Sequence, residues 1–130
     1  MDGGTADDNG MFRNIVEISP NIIFRTDTRG VFTYVSPAVK EKLGHTPDEL
    51  MDTGFETRTH DDDIPEATEA FGRVLEGETV RGLEVRFRRK DGAYAHVEVN
   101  AVPVTSDGEV VGVQGVTRDI TEQKEREREL

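Results

Sequence analysis

The chain of 130 residues contains no cysteine and no tryptophan. With no thiol it has no disulfide, no thiolate ligand for a metal and no cysteine nucleophile, which excludes several chemistries at once. Lysine is scarce as well: the basic residues are 12 Arg against 4 Lys. Together they are outnumbered by 27 carboxylates, for a net charge of −11. Such a surface repels the phosphates of nucleic acids and of anionic lipids, so neither is an expected partner. The composition also fits a protein adapted to high salt, where distant like charges are screened. No apolar run approaches the 18 or so residues of a membrane-crossing helix. The first residues, Met1-Asp2-Gly3-Gly4-Thr5-Ala6-Asp7-Asp8, lack the basic-then-apolar pattern of a secretion signal, so the expected location is the cytoplasm. A hydrophobic share of 34% is enough for one modest core, and the length fits one domain with flanks.

The pattern along the chain alternates between strand and helix signals. Residues 1–10 carry Gly and Asp and are expected to be a disordered lead or linker. Phe12, Ile15 and Val16 stand at helical spacing within Met11 to Ile18, before Ser19-Pro20-Asn21 breaks the pattern. Ile22 to Thr26 and Val31 to Val35 are strands by composition, joined by the turn Asp27-Thr28-Arg29-Gly30. Ser36-Pro37 predicts a helix start, with Ser36 as cap, over Ala38 to Leu43, and Gly44 predicts its end. Thr46-Pro47-Asp48-Glu49 has the spacing of a capping box. Residues 52–59 show no period. From Pro65 to Glu76, the residues Ala67, Ala70, Phe71, Val74 and Leu75 lie three and four apart, which gives a helix one apolar face. The period then changes to two. Leu83, Val85 and Phe87 alternate with charged residues, as do Val97, Val99 and Ala101 after the turn at Asp91-Gly92.

The last stretch organises the rest. Val110-Val111-Gly112-Val113-Gln114-Gly115-Val116-Thr117 reads as a strand, and Glu122 to Leu130 as a charged helix with Asp119 or Thr121 as cap. A strand that passes directly into an exposed helix can carry a change out of the domain. Two strands, several short helices, three strands in a meander and one exit helix make an α+β fold with the helices on one face of a sheet.

This order resembles the PAS domain, over residues 11–124. The matching pieces are Tyr34-Val35-Ser36-Pro37-Ala38, Leu43-Gly44-His45-Thr46-Pro47-Asp48-Glu49-Leu50, His60-Asp61-Asp62, Phe87-Arg88-Arg89-Lys90-Asp91-Gly92, and Gly112 to Thr121 with its closing Asp119-Ile120-Thr121. Ser36 departs from the Asn that many members carry. The resemblance implies a five-stranded antiparallel sheet, short helices on one face enclosing a pocket, and a C-terminal exit helix. The boundaries it implies are a lead over 1–10, the domain over 11–119 and a connector helix over 120–130. It also implies a non-catalytic sensory module of a histidine kinase or transducer-like protein. That module relays to a downstream effector domain of the same chain through Asp119, Ile120 and Thr121, and forms a homodimer. With the acidic composition, the expected source is a halophilic archaeon. A structural PAS domain that only dimerises is the alternative, and a metal-dependent enzyme using His60-Asp61-Asp62-Asp63 a remote one.

Candidate sites have competing explanations. His60-Asp61-Asp62-Asp63 resembles a ligand set, but carboxylates at a helix start also complement its dipole and cap its N–H groups, so no metal is expected. His45 and His96 are the remaining histidines. Haem-binding PAS domains resemble one another in placing the ligand His on the long helix, and Pro65 to Glu76 has none. His96 falls on the polar side of its strand. Gly112-Val113-Gln114 is similar to the last strand of the flavin-binding LOV subfamily, whose photochemistry uses a Cys that this chain lacks, so a covalent flavin is not expected either. What remains is a small apolar or aromatic ligand. Strand parity and family position assign it Phe24, Thr26, Val85, Phe87, Val97, Val99 and Gln114, with Phe71 and Leu75 from the long helix. Gln114, sharing a face with Gly112 and Val116, is the expected polar anchor.

Overall fold

A computed structural model describes residues 20–129. The expected lead over 1–10 and the amphipathic stretch Met11 to Ile18 lie outside the described residues. Strands β1 (Ile22–Thr26) and β2 (Phe32–Val35) form a hairpin. Helices α1 (Ala38–Leu43) and α2 (Pro47–Leu50), two single 3-10 turns and the long helix α3 (Ile64–Leu75) follow. The meander β3 (Val80–Arg88), β4 (Tyr94–Ser106) and β5 (Glu109–Asp119) leads into the exit helix α4 (Thr121–Glu129). The five strands form one antiparallel sheet in the order β2-β1-β5-β4-β3. The last strand therefore sits at the centre, and its ladder with β1 is what joins the hairpin to the meander.

Local chemistry explains the elements. In the β1–β2 turn, the Asp27 carboxylate accepts from the N–H groups of Arg29 and Val31 at 2.8 and 3.0 Å. Gly30 closes that turn at φ +82°, and a Cβ there would lie 2.6 Å from the Phe55 ring, so neither conformation nor space admits a side chain. The capping box at α2 forms as its spacing predicts: Thr46 Oγ1 accepts from Glu49 N, and the Glu49 carboxylate accepts from Thr46 N at 2.9 Å. On β3 the register shifts between Val80 and Leu83, so that both turn inward although they stand three positions apart. This shift is why regular alternation begins only at Leu83.

Two predicted caps are built differently. Ser36 does not cap α1. Its Oγ accepts from Ile23 N at 2.8 Å while its own N–H donates to Ile23 O at 2.8 Å, which binds the end of β2 to β1, and Pro37 occupies the cap position. The Asp cluster before α3 does not cap with carboxylates either. Asp62 N donates to the His60 ring, and Asp63 instead accepts from Arg86 N, Nε and Nη2 at 2.8, 2.9 and 2.9 Å. The guanidinium on the neighbouring strand outcompetes the helix N–H groups because it offers a charged, two-pronged donor. Asp63 thus fastens the start of α3 to β3.

The core consists of two clusters on the inner face of the sheet. One gathers Ile22, Val35, Val39, Leu43, Leu50 and Val97; the other gathers Ala70, Val74, Val80, Ala101 and Val113 under α3. Phe24, Leu83 and Val99 pack against both.

Candidate functional site

A cavity of about 110 Å³ lies between the inner face of the sheet and the helices. Its wall includes five of the six phenylalanines of the chain: Phe24, Phe32, Phe55, Phe71 and Phe87. Phe24 and Phe32 meet edge to face with ring centres 5.9 Å apart, and Phe55 lies tilted against Phe71 at 5.1 Å. Helix α3 turns Ala67 and Ala70 toward the space, so small residues there leave room that larger ones would fill. Gly115 on β5 makes room for the Phe24 ring, since a Cβ there would stand 2.6 Å from it. No charged side chain lines the cavity, and its polar members are Thr26, Thr59 and Thr117.

Of the residues assigned from the sequence, Phe24, Thr26, Phe71, Val85, Phe87, Val97 and Val99 line this cavity. Leu75 and Gln114 do not. Leu75 packs beside the second core cluster, and Val74, one residue earlier on α3, takes the lining position. Gln114 is on the outer face of the sheet, where its Oε1 accepts from Arg25 Nε at 2.7 Å. The ladder requires this. Residues directly opposite in an antiparallel pair share a face, and β1 pairs Ile22, Phe24 and Thr26 with Thr117, Gly115 and Val113. Once Phe24 and Thr26 face inward, Val113 and Thr117 must follow. Their burial agrees: Val113 is 2% exposed, whereas Val116, of the opposite parity, is 37% exposed. The inward members of β5, Val113 and Thr117, were thus missed. The strand's own composition of Val and Gly carries no alternation, and only the parity of its partner strand identifies them.

The exit is a second arrangement of bonds. Ile120, 4% exposed, donates its N–H to His96 O at 2.8 Å, and Thr121 Oγ1 accepts from His96 N at 3.0 Å. Asp119 Oδ1 accepts from Thr121 N at 2.9 Å, and Oδ2 accepts from Arg89 Nη2 at 3.0 Å. Burial disfavours the charge on Asp119, yet the bonds from Thr121 and the guanidinium of Arg89 hold its carboxyl below its usual range. Arg89 Nη1 also donates to Lys42 O at the end of α1. One guanidinium therefore joins α1, the end of β5 and the start of α4. Val39 and Leu43 of α1 line the cavity, so the wall and the exit are connected through it. Farther along α4, Lys124 Nζ reaches Glu84 on β3 at 2.6 Å.

The histidines take structural positions. His45 is 5% exposed, donates from Nε2 to Arg88 O at 2.8 Å and stands edge-on to Phe87. Its Nδ1 is buried without a partner among the described residues. Neither His45 nor His96 lines the cavity. Among the described residues no group of three His, Asp or Glu side chains is arranged to hold a metal ion. The cavity also limits its occupant. Its volume of about 110 Å³ lies below the roughly 300–1,000 Å³ of sites for drug-sized ligands.

With this geometry in place, comparison with known proteins is direct. A family model described as the PAS fold matches residues 32–117. The chain belongs to the PAS family. A PAS neighbour of known structure, a domain of a sensory box sensor histidine kinase/response regulator from Geobacter sulfurreducens, is 26% identical with a TM-score of 0.74, covering 86% of this chain and 94% of that one. The PAS domain of an HTR-like protein from Haloarcula marismortui superposes with a TM-score of 0.75 at 20% identity, covering 92% and 97%, a likeness of fold. In sequence, an uncharacterized protein of Sinorhizobium fredii, y4lL, is 29% identical over 119 residues. That match takes in 91% of this chain but only 14% of the relative's length. The PAS fold predicted from the sequence is the fold observed, and relatives of this family are sensory modules of signalling proteins. No helix among the described residues is long and apolar enough to cross a membrane.

Proposed function

We propose that this PAS domain is a non-catalytic sensory module. It holds a small apolar or aromatic ligand in its core and relays occupancy through α4 to an effector domain of the same polypeptide. One observation carries the reading: the cavity is walled in part by α1, and the Lys42 carbonyl near the end of α1 is bonded through Arg89 to Asp119, where the exit helix begins. A shift of α1 as the cavity fills has to be accommodated by that guanidinium, which also touches Thr121. Asp119, Ile120 and Thr121 are then the relay. A cytoplasmic setting and a homodimer complete the proposal. The net charge of −11 and the preference for Arg over Lys support a salt-adapted source, such as a halophilic archaeon.

A second reading is a PAS domain that dimerises without a ligand. It is favoured by Val102 and Val116, which are 42% and 37% exposed on the outer face of the sheet. Native mass spectrometry separates the two. The ligand reading expects a small mass that travels with the folded protein and leaves on denaturation, from protein purified from its native host. Bare protein, also after incubation with a broad set of small apolar compounds, favours the second reading.

A further inference from the structure

The three hydroxyls of the cavity wall are not equivalent. Thr26 Oγ1 donates to Asp27 O at 2.9 Å, and Thr59 Oγ1 donates to Phe55 O at 2.7 Å. Each has spent its single proton on a backbone carbonyl. Thr117 also lines the cavity, and its hydroxyl makes no hydrogen bond to any described residue. It sits in the middle of the sheet, opposite Ile22 on β1 and Val99 on β4, both of which line the same space. Every other lining residue is apolar. The wall therefore offers one donor not committed to a described residue, while Thr26 and Thr59 keep only acceptor lone pairs and the remaining lining is apolar.

The geometry points to Thr117 as the polar anchor of the cavity, which selects a small uncharged molecule with one hydrogen-bond acceptor, such as a ketone, aldehyde, ether or alcohol. The inference rests on the proposed role of the cavity as a ligand site and specifies its ligand. Three physical arguments fix the class. A charged molecule would be stripped of water with no counter-charge on the wall, which is prohibitive. A pure hydrocarbon would fill the space but make no use of the Thr117 hydroxyl. An engineered apolar cavity of about 150 Å³ takes one benzene, so a space of about 110 Å³ takes a single small ring or a short chain.

The test uses cyclopentanone, cyclopentane and cyclopentylammonium as probes, titrated into the full chain and followed by NMR shifts of the cavity methyl groups. The variants are Thr117→Val, which keeps the shape and removes the hydroxyl, and Thr117→Ser, which keeps the hydroxyl. Thr26→Val and Thr59→Val are the controls. We expect cyclopentanone to bind roughly 2- to 12-fold more weakly to Thr117→Val, the range for one neutral hydrogen bond. Cyclopentane should bind that variant no more weakly than the wild type, Thr117→Ser should retain cyclopentanone, and cyclopentylammonium should not bind. Equal cyclopentanone affinity in the wild type and in Thr117→Val overturns the assignment, as does an equal loss in Thr26→Val or Thr59→Val. Failure of both neutral probes to bind the wild type overturns the ligand reading itself, a result distinct from binding that ignores Thr117.

Discussion

Three carboxylates in this domain do structural work that depends on their charge. Glu49 is held at a pKa of about 2, against an ordinary value of 4.5, first by its bond with Lys90 and then by the Thr46 N–H. Asp63 is lowered by the hydrogen bonds from Arg86, and Asp119 is lowered despite burial by Thr121 and Arg89. A carboxylate whose folded pKa lies below its unfolded one contributes stability above the unfolded value and loses it as pH falls toward the folded value. The urea midpoint should therefore drop as pH falls from about 4.5 to about 2 for the Glu49 share. Glu49→Gln should flatten part of that drop, and an unaltered pH profile in the variant would refute this account of Glu49. Legibility at this scale was uneven. The capping box at Thr46 and Glu49 could be read from spacing because both partners are local. The partner of Asp63 lies 23 residues away and the partner of Gln114 lies 89 away, and no local pattern reveals either.

Among the elements, α4 carries the most testable contact. Its exposed residues are almost all charged, and no apolar face seats it on the sheet. What holds it beyond its first turn is Lys124, which reaches Glu84, and the bond with Glu84 raises the Lys124 pKa. Glu84 stands opposite Glu98 on β4, a like-charge pair, and Glu98 is bonded to Arg118 at 3.3 Å. Lys124 and Arg118 thus each neutralise one carboxylate of that like-charge pair. Exposed pairs of this kind contribute little to stability. Lys124→Gln should accordingly raise amide exchange in residues 125–128 modestly while leaving β4 unchanged, and unaltered exchange would show that the tie holds nothing. The position of the exit helix was legible from the switch of residue types at Asp119-Ile120-Thr121. Its seat on β3 was not, because one lysine among so many charges carries no signal of its partner.

For the whole molecule, the α+β class, the five strands and the exit helix followed from periodicity and turn chemistry, with the resemblance supplying their arrangement. The position of β5 between β1 and β4 was not read from the sequence, since pairing between distant parts of a chain leaves no local trace. The net charge of −11 makes a further prediction. Molar NaCl screens repulsion among the carboxylates, so the melting temperature should rise from dilute buffer to molar salt. The same salt weakens the Lys124–Glu84 pair, so α4 should loosen as the body stabilises. A melting temperature indifferent to salt would remove the support for a salt-adapted source.

The central claim is that the cavity and the exit helix are coupled through α1 and Arg89. It is tested most directly by hydrogen exchange of the α4 amides in the full chain, with the cavity empty and then saturated by cyclopentanone, saturation being confirmed from the cavity methyl signals. The account predicts that filling the cavity changes exchange at residues 121–128, and that Arg89→Ala abolishes the change while the probe still binds. Exchange in α4 that stays the same between empty and filled cavities would contradict it.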